Sequence, residues 1–276
     1  MTTSEPGGSP PDNNKKRDMS YSDYLCLDQI LSAQSPQSQA HDEMLFIVQH
    51  QTSELWMRLA IHELEAAREA LASGEFPQAF KFLARVTRIF EQLNNAWDVL
   101  RTMTPSEYTD FRQSLGSSSG FQSWQYRLIE FVLGNRNTAM LKVHEHTPSV
   151  HQKLHTELKQ KSLYHIAVEQ LGRHLKLSFD DALFKKESSH EANEAVIDAW
   201  AQIYQNPRDN WQLYELAEEL VDLEDYFRRW RFNHVTTVER IIGFKRGTGG
   251  TSGVKYLRQM LDVELFPELW QVRERL

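Results

Sequence analysis

The chain has a single cysteine, Cys26, among 276 residues, so no disulfide can form within it. That usage suits a reducing compartment. It also removes every metal site built from cysteine pairs, and no CxxCH run is present to attach a haem covalently. Long apolar runs are missing too. None approaches the roughly 20 residues a membrane span needs, and the first residues lack the apolar core of a secretory signal. The expectation is a cytoplasmic protein. Positive charge is scarce: 31 Lys and Arg stand against 38 Asp and Glu, a net charge of -7. A surface built to neutralise phosphates would need the opposite balance, which argues against a nucleic-acid binder. Period-two alternation is absent, which leaves no convincing strand, and no internal repeat is visible.

What is present is helical periodicity. Residues 1–18 are rich in Pro, Gly, Ser and charge and cannot repay their ordering entropy, so a disordered tail is expected there. The remainder, 19–276, reads as one all-α domain, a helical bundle with helices long enough to form an interlocked oligomer. An amphipathic helix is predicted over 42–72, ending near Gly74. Leu83, Val86, Phe90, Leu93, Trp97 and Leu100 recur at alternating three and four, a helix-packing seam. Thr104, Pro105 and Glu107 form a capping-box start, with Gly116 as the stop. Further helices are predicted over 121–133 and from Pro148. A long one runs from Trp211 to about Lys245, with surface pairs Glu224–Arg228 and Asp225–Arg229.

One residue breaks the pattern of that last helix. The stripe Leu223, Phe227, Trp230, His234, Val238, Ile241 faces one neighbour and is apolar except for His234. A core histidine bonded to a backbone carbonyl is the bland explanation. The functional one is an axial ligand to haem, since a flat apolar macrocycle needs an apolar wall and one imidazole on a rigid element. His50 shares a face with Phe46, Ser53 or Glu54, Met57, Ile61 and Leu64, so a second imidazole points inward. Tyr108 and Arg112 are one turn apart and would suit a carboxylate, Arg as a bidentate fork and Tyr as a third donor. A surface pair explains their spacing equally well. The run 115–123 is a hydroxyl-rich turn. The loop 247–253 carries Thr248 and Thr251 among glycines, lacks any phosphate-binding fingerprint, and reads as a lid that lets backbone approach a ligand. His144, His146, His151 and His155 are dense but lack HExxH or Cys companions, which disfavours zinc. Glu187–His190 is a lone Glu-x-x-His, where a di-iron bundle needs two.

Taken together, FIVQHQTSELW (46–56), YTDFR (108–112), LGSSSGFQS (115–123), WRFNHV (230–235) and GTGGTSG (247–253) resemble the tryptophan 2,3-dioxygenases from about Tyr21 to the C-terminus. A histidine at the His50 position favours this family over the related indoleamine dioxygenases. The resemblance implies one haem b per subunit with His234 as proximal iron ligand and Trp97, Ser119 and Gly120 beside the cofactor. It implies insertion of both atoms of O₂ across the indole C2–C3 bond of L-tryptophan, giving N-formyl-L-kynurenine, the first step of the kynurenine pathway. The segment Phe46, Ile47, Val48, Gln49 and His50 would line the substrate pocket, with Phe46 on the indole and His50, the residue assigned to catalysis, at its N–H. Tyr108 and Arg112 would hold the carboxylate, and Thr248, helped by a haem propionate, the ammonium. The family is homotetrameric, with Tyr21, Tyr24 and Leu25 reaching a neighbour's pocket. An imidazole near pKa 6.5 is a poor base for an indole N–H, so His50 is expected to orient rather than deprotonate. Two other classes compete: a non-catalytic haem protein such as a gas sensor or carrier, which would have no use for Tyr108 and Arg112, and a haem-free helical scaffold.

Overall fold

The computed structural model describes residues 18–180, 183, 191–245 and 253–276. Every regular element among them is an α-helix or a 3-10 turn. The expected tail (apart from Asp18), Glu187–His190, Thr248 and Thr251 lie outside the described residues. Internal contacts divide the chain into two units, Met1–Ser35 and Pro36–Leu276.

In the first unit, α1 (Tyr21–Leu25) opens with a reciprocal capping box between Ser20 and Asp23. Cys26, at φ 51°, turns the chain directly into α2 (Leu27–Leu31). Neither helix buries a residue, and Tyr21 and Tyr24 are 75% and 73% exposed.

The second unit holds α3 (Asp42–Ala72), α4 (Phe76–Leu100), α5 (Pro105–Arg112), α6 (Trp124–Leu133), α7 (Pro148–Glu157), α8 (Leu163–Leu175), α9 (Glu194–Gln205), α10 (Trp211–Ile241), α11 (Val254–Gln259) and α12 (Pro267–Gln271). The three long helices set the frame. α4 packs along both α3 and α10, while α6 and α8 close over α3. The alternating seam of α4 supplies the centre: Leu83, Val86, Phe90 and Leu93 are fully or almost fully buried, and Phe90 meets Phe227 of α10 edge-on at 5.1 Å. Such an aromatic pair adds roughly 0.5–1.5 kcal/mol to the burial itself. A smaller core gathers Leu100, Met103, Tyr108, Phe111 and Ile241. Trp97 packs against both cores, so the end of α4 lies at their junction.

The caps explain where helices begin. Thr104 and Glu107 form the predicted capping box, with Pro105 at the first position of α5. Glu43 is buried in the first turn of α3, where its carboxylate accepts from Gln37 N (2.7 Å) and Ser38 N (2.8 Å). These bonds hold its pKa below the ordinary carboxylate range and tie down the helix end that carries Phe46 and His50.

Three expectations need correction. The helix expected from 121 begins at Trp124, because Ser119 and Gln122 cap a separate 3-10 turn and Ser123 caps α6. α10 ends at Ile241 rather than near Lys245, since Gly243 adopts φ 71° just beyond it. Glu224 makes no surface pair with Arg228. It is fully buried and accepts from Leu265 N (2.7 Å) and Phe266 N (2.9 Å), fastening the turn before α12. Arg228 turns to Glu264 at 3.8 Å instead. Asp225–Arg229 forms as a surface pair at 2.5 Å.

Candidate active site

Where the two cores meet, α3, α4, α5, α6, α10 and α11 enclose a cavity of about 230 Å³. That is far more than a close-packed interior leaves between its side chains. One wall is α3. Its helical period brings Phe46, Gln49, His50, Ser53, Glu54 and Met57 to the cavity and turns Ile47 and Val48 away from it. The His50 Nδ1–H donates to the Phe46 carbonyl one turn back, at 2.7 Å. This bond fixes the tautomer and leaves the Nε2 lone pair as an acceptor. Burial pushes the pKa of His50 below 6.5, against the Phe46 carbonyl and Glu54, which favour the charged ring. The imidazole is therefore neutral at pH 7.

α5 continues this wall. Phe46 lies 4.1 Å from the His50 ring, 5.5 Å from Phe111 and 6.1 Å from Tyr108, centroid to centroid. Tyr108 is buried, and burial raises its pKa despite the Arg112 guanidinium hydrogen-bonded to it. The phenol stays a donor. Phenol and guanidinium both line the cavity, as do Ser119 and Gly120.

The opposing elements are α4 and α10. The His234 ring stacks on Trp97 at 5.1 Å with 18° between planes, and Trp230 sits 5.6 Å away. Burial, then the His50 imidazole, push the His234 pKa down to about 4, so the ring is neutral. Among the described residues neither nitrogen of this ring, which lines the cavity, has a hydrogen-bond partner, and the neighbouring Trp97 Nε1 is buried without one. Buried polar groups are almost always paired. A neutral imidazole with open lone-pair geometry is the metal-ligating form of the residue.

Sequence reasoning missed a buried ionic group on α6. Glu130 is fully buried and accepts from Tyr126 Oη (3.1 Å), Asn135 Nδ2 (3.2 Å), Arg231 Nη2 (2.8 Å) and Arg127. Arg231 Nε also donates to Tyr126 Oη at 3.1 Å. Tyr126 stacks on Trp230 at 5.1 Å, and Tyr126, Arg127 and Arg231 all line the cavity. Two guanidinium groups share one carboxylate, which leaves positive charge at the cavity edge. The available signal was three charges, Arg127, Glu130 and Arg231, on helix faces whose neighbours are apolar.

In the other histidine cluster His151 and His155 stack at 6.4 Å, and no group of three or more potential metal ligands occurs among the described residues. The donor set of the cavity fits haem. It offers one unpaired neutral imidazole on a rigid helix, tryptophan faces beside it, and guanidinium groups suited to acidic ring substituents. Tyr21, Tyr24 and Leu25 belong to the first unit.

Comparison with known proteins agrees with this chemistry. The family profile described as Tryptophan 2,3-dioxygenase matches residues 8–174 and 140–276. A protein of that name from Ruegeria pomeroyi is 67% identical over 258 residues, 93% of each chain. Another from Bradyrhizobium diazoefficiens is 62% identical over 277 residues, 99% of each. Tryptophan 2,3-dioxygenase 1 of Ralstonia nicotianae is 58% identical over 259 residues, 93% of this chain and 88% of the relative. The chain belongs to the tryptophan 2,3-dioxygenase family.

Proposed function

We propose that this protein is a haem-dependent dioxygenase that inserts both atoms of O₂ across the indole C2–C3 bond of L-tryptophan to give N-formyl-L-kynurenine. The observation that carries this reading is one cavity lined by two neutral histidines in different states. Among the described residues His234 has no hydrogen-bond partner on either nitrogen, whereas His50 is locked with Nε2 as an acceptor. His234 would hold haem b, one per subunit, with Trp97, Ser119 and Gly120 beside it. Bound there, haem supplies the O₂-binding and redox chemistry that protein side chains lack.

The chain's own residues position the substrate. His50 Nε2 accepts from the indole N–H, and Phe46 packs on the ring. Arg112 and Tyr108 donate to the carboxylate, a charge-assisted arrangement that discriminates against indoles without one. Gln49 completes the slot beside His50, and Ile47 and Val48 support the same segment of α3. Thr248 would meet the ammonium group. The overall reaction adds O₂ without net loss of a proton: the indole N–H becomes the amide N–H of the product. A hydrogen-bond acceptor therefore suffices at His50, and no base is required.

The assembly is proposed as a homotetramer in the cytoplasm, with Tyr21, Tyr24 and Leu25 covering a neighbouring subunit's pocket. Support comes from α1, which exposes Tyr21 and Tyr24, and from α2, which like α1 buries no residue. Among the described residues no helix is long and apolar enough to cross a membrane. The test is incubation of haem-loaded protein with L-tryptophan, reductant and isotope-labelled O₂. The expected product is N-formylkynurenine with label at both new oxygens. Haem loading without tryptophan turnover would instead favour a gas sensor or carrier.

A further inference from the structure

The inference rests on His234 as haem ligand and concerns what holds its ring in place. Apolar contacts are non-directional, so the seam between α4 and α10 fixes their separation better than their rotation. Hydrogen bonds are directional, and on these two helices they bracket His234. On α4 and its C-cap, Asn94, Trp97 and Arg101 follow one another at steps of three and four and share a face. Trp97, in the middle, stacks on His234. The residues on either side of it bond to α10. Asn94 Nδ2 donates to the Tyr226 carbonyl at 3.0 Å, and Asn94 Oδ1 accepts from Asn233 Nδ2 at 2.9 Å. Arg101 Nε donates to Thr237 Oγ1 at 2.9 Å. Its Nη2 reaches Thr236 Oγ1 at 2.6 Å, Asn233 Oδ1 at 3.0 Å and the Asn233 carbonyl at 3.2 Å. Asn233, the residue directly before His234, is thus held from both sides.

We infer that Asn94 and Arg101 are positioning residues for the His234 imidazole, acting through Asn233 and Thr237 to fix the rotation of α10 on α4. A small rotation of α10 would slide the imidazole off the Trp97 face and change the direction of its lone pair. Among the described residues no hydrogen bond to the ring itself prevents this, so the orienting bonds act on the backbone and side chains that flank it. Outer partners that orient a ligating histidine commonly change metal affinity about 10- to 100-fold when removed.

The experiment compares wild type, Arg101→Met and Asn94→Ala, each loaded with haem. The control is Arg85→Met in a Glu63→Gln background, which removes a tie from α4 to α3 at 2.7 Å without leaving the buried Glu63 carboxylate unpaired. Two quantities are read: the iron–histidine stretching band of the ferrous protein by resonance Raman, and the rate of haem loss to an excess of a scavenging apoglobin. The expected result is a displaced or broadened band and haem loss about tenfold faster or more in Arg101→Met and Asn94→Ala. The control should match wild type in both. Wild-type values in the two test variants would overturn the inference, and so would an equal change in the control, which would mark a general loss of stability. Should Arg101→Met fail to fold, Asn94→Ala decides alone, since it cuts the same network at a smaller, uncharged side chain. A wild-type protein with no iron–histidine band would refute the haem assignment instead.

Discussion

His50 and His234 are the same residue type on the inner faces of two 31-residue helices, and burial lowers the pKa of both. They differ in one bond. The His50 Nδ1–H is committed to the Phe46 carbonyl within its own helix, which turns the ring into a fixed acceptor. His234 has no such bond and is held by stacking on Trp97 between polar ties that act on its neighbours. A locally satisfied ring presents one defined lone pair to a substrate hydrogen. A ring left open can give its lone pair to a metal. The division of labour in the cavity therefore comes from partners rather than from residue type, and substitutions on each wall should separate the two roles.

The largest effect is expected on the α10 wall. His234→Ala should purify without a Soret band and without tryptophan turnover, while far-UV circular dichroism keeps its helical signature. A native haem spectrum in that variant would show that the two histidines do not divide the work as described. Next is Arg112→Ala, on the wall formed by α3 and α5. A charge-assisted contact is worth about 1.5–3 kcal/mol, so KM for tryptophan should rise roughly 10- to 150-fold with the Soret band intact. An unchanged KM would remove Arg112 from the carboxylate site and leave the substrate wall without its anchor.

The division between the walls was only half legible in the sequence. That His234 and His50 face inward follows from spacing, because a helical stripe with one polar member shows its direction. What each ring bonds to does not follow. The Phe46 carbonyl was available to His50 from its i,i-4 position, but a similar backbone bond was equally conceivable for His234. Trp97 was visible as part of a seam, though not as the surface on which His234 stacks. Buried charge was the least legible. Glu224 in sequence looks like half of a surface pair with Arg228, whereas it is fully buried on two backbone amides. Glu130 and Arg231 carry no local sign that they meet, since they lie 101 residues apart. Helix ends set by glycine or by a 3-10 turn, as at Gly243 and Ser119, shifted by a few residues for the same reason: the dihedral that stops a helix is not written in periodicity. The roles of Tyr21, Tyr24 and Leu25 came from resemblance alone.

The smallest effect should come from His50, and it tests the comparison most finely. If the ring only accepts a hydrogen bond from the indole N–H, His50→Ala should lower kcat/KM by about two- to tenfold, the range of a neutral hydrogen bond of 0.5–1.5 kcal/mol. The pH profile adds a sign. The pKa of His50 lies below 6.5 in the fold, so the neutral, accepting ring prevails above that value and is lost as pH falls through it. Wild-type kcat/KM should therefore hold steady from pH 8 to about 6.5 and fall on an acid limb beginning below it, with protonation turning Nε2 from acceptor into donor. His50→Ala should lack this limb while retaining its Soret band, because iron ligation belongs to the other wall. A loss of nearly all turnover with tryptophan affinity preserved would contradict the orienting role. His50 would then be needed for the chemical step, and the distinction between an acceptor wall and a ligand wall would have to give way to two histidines that both act on the reaction.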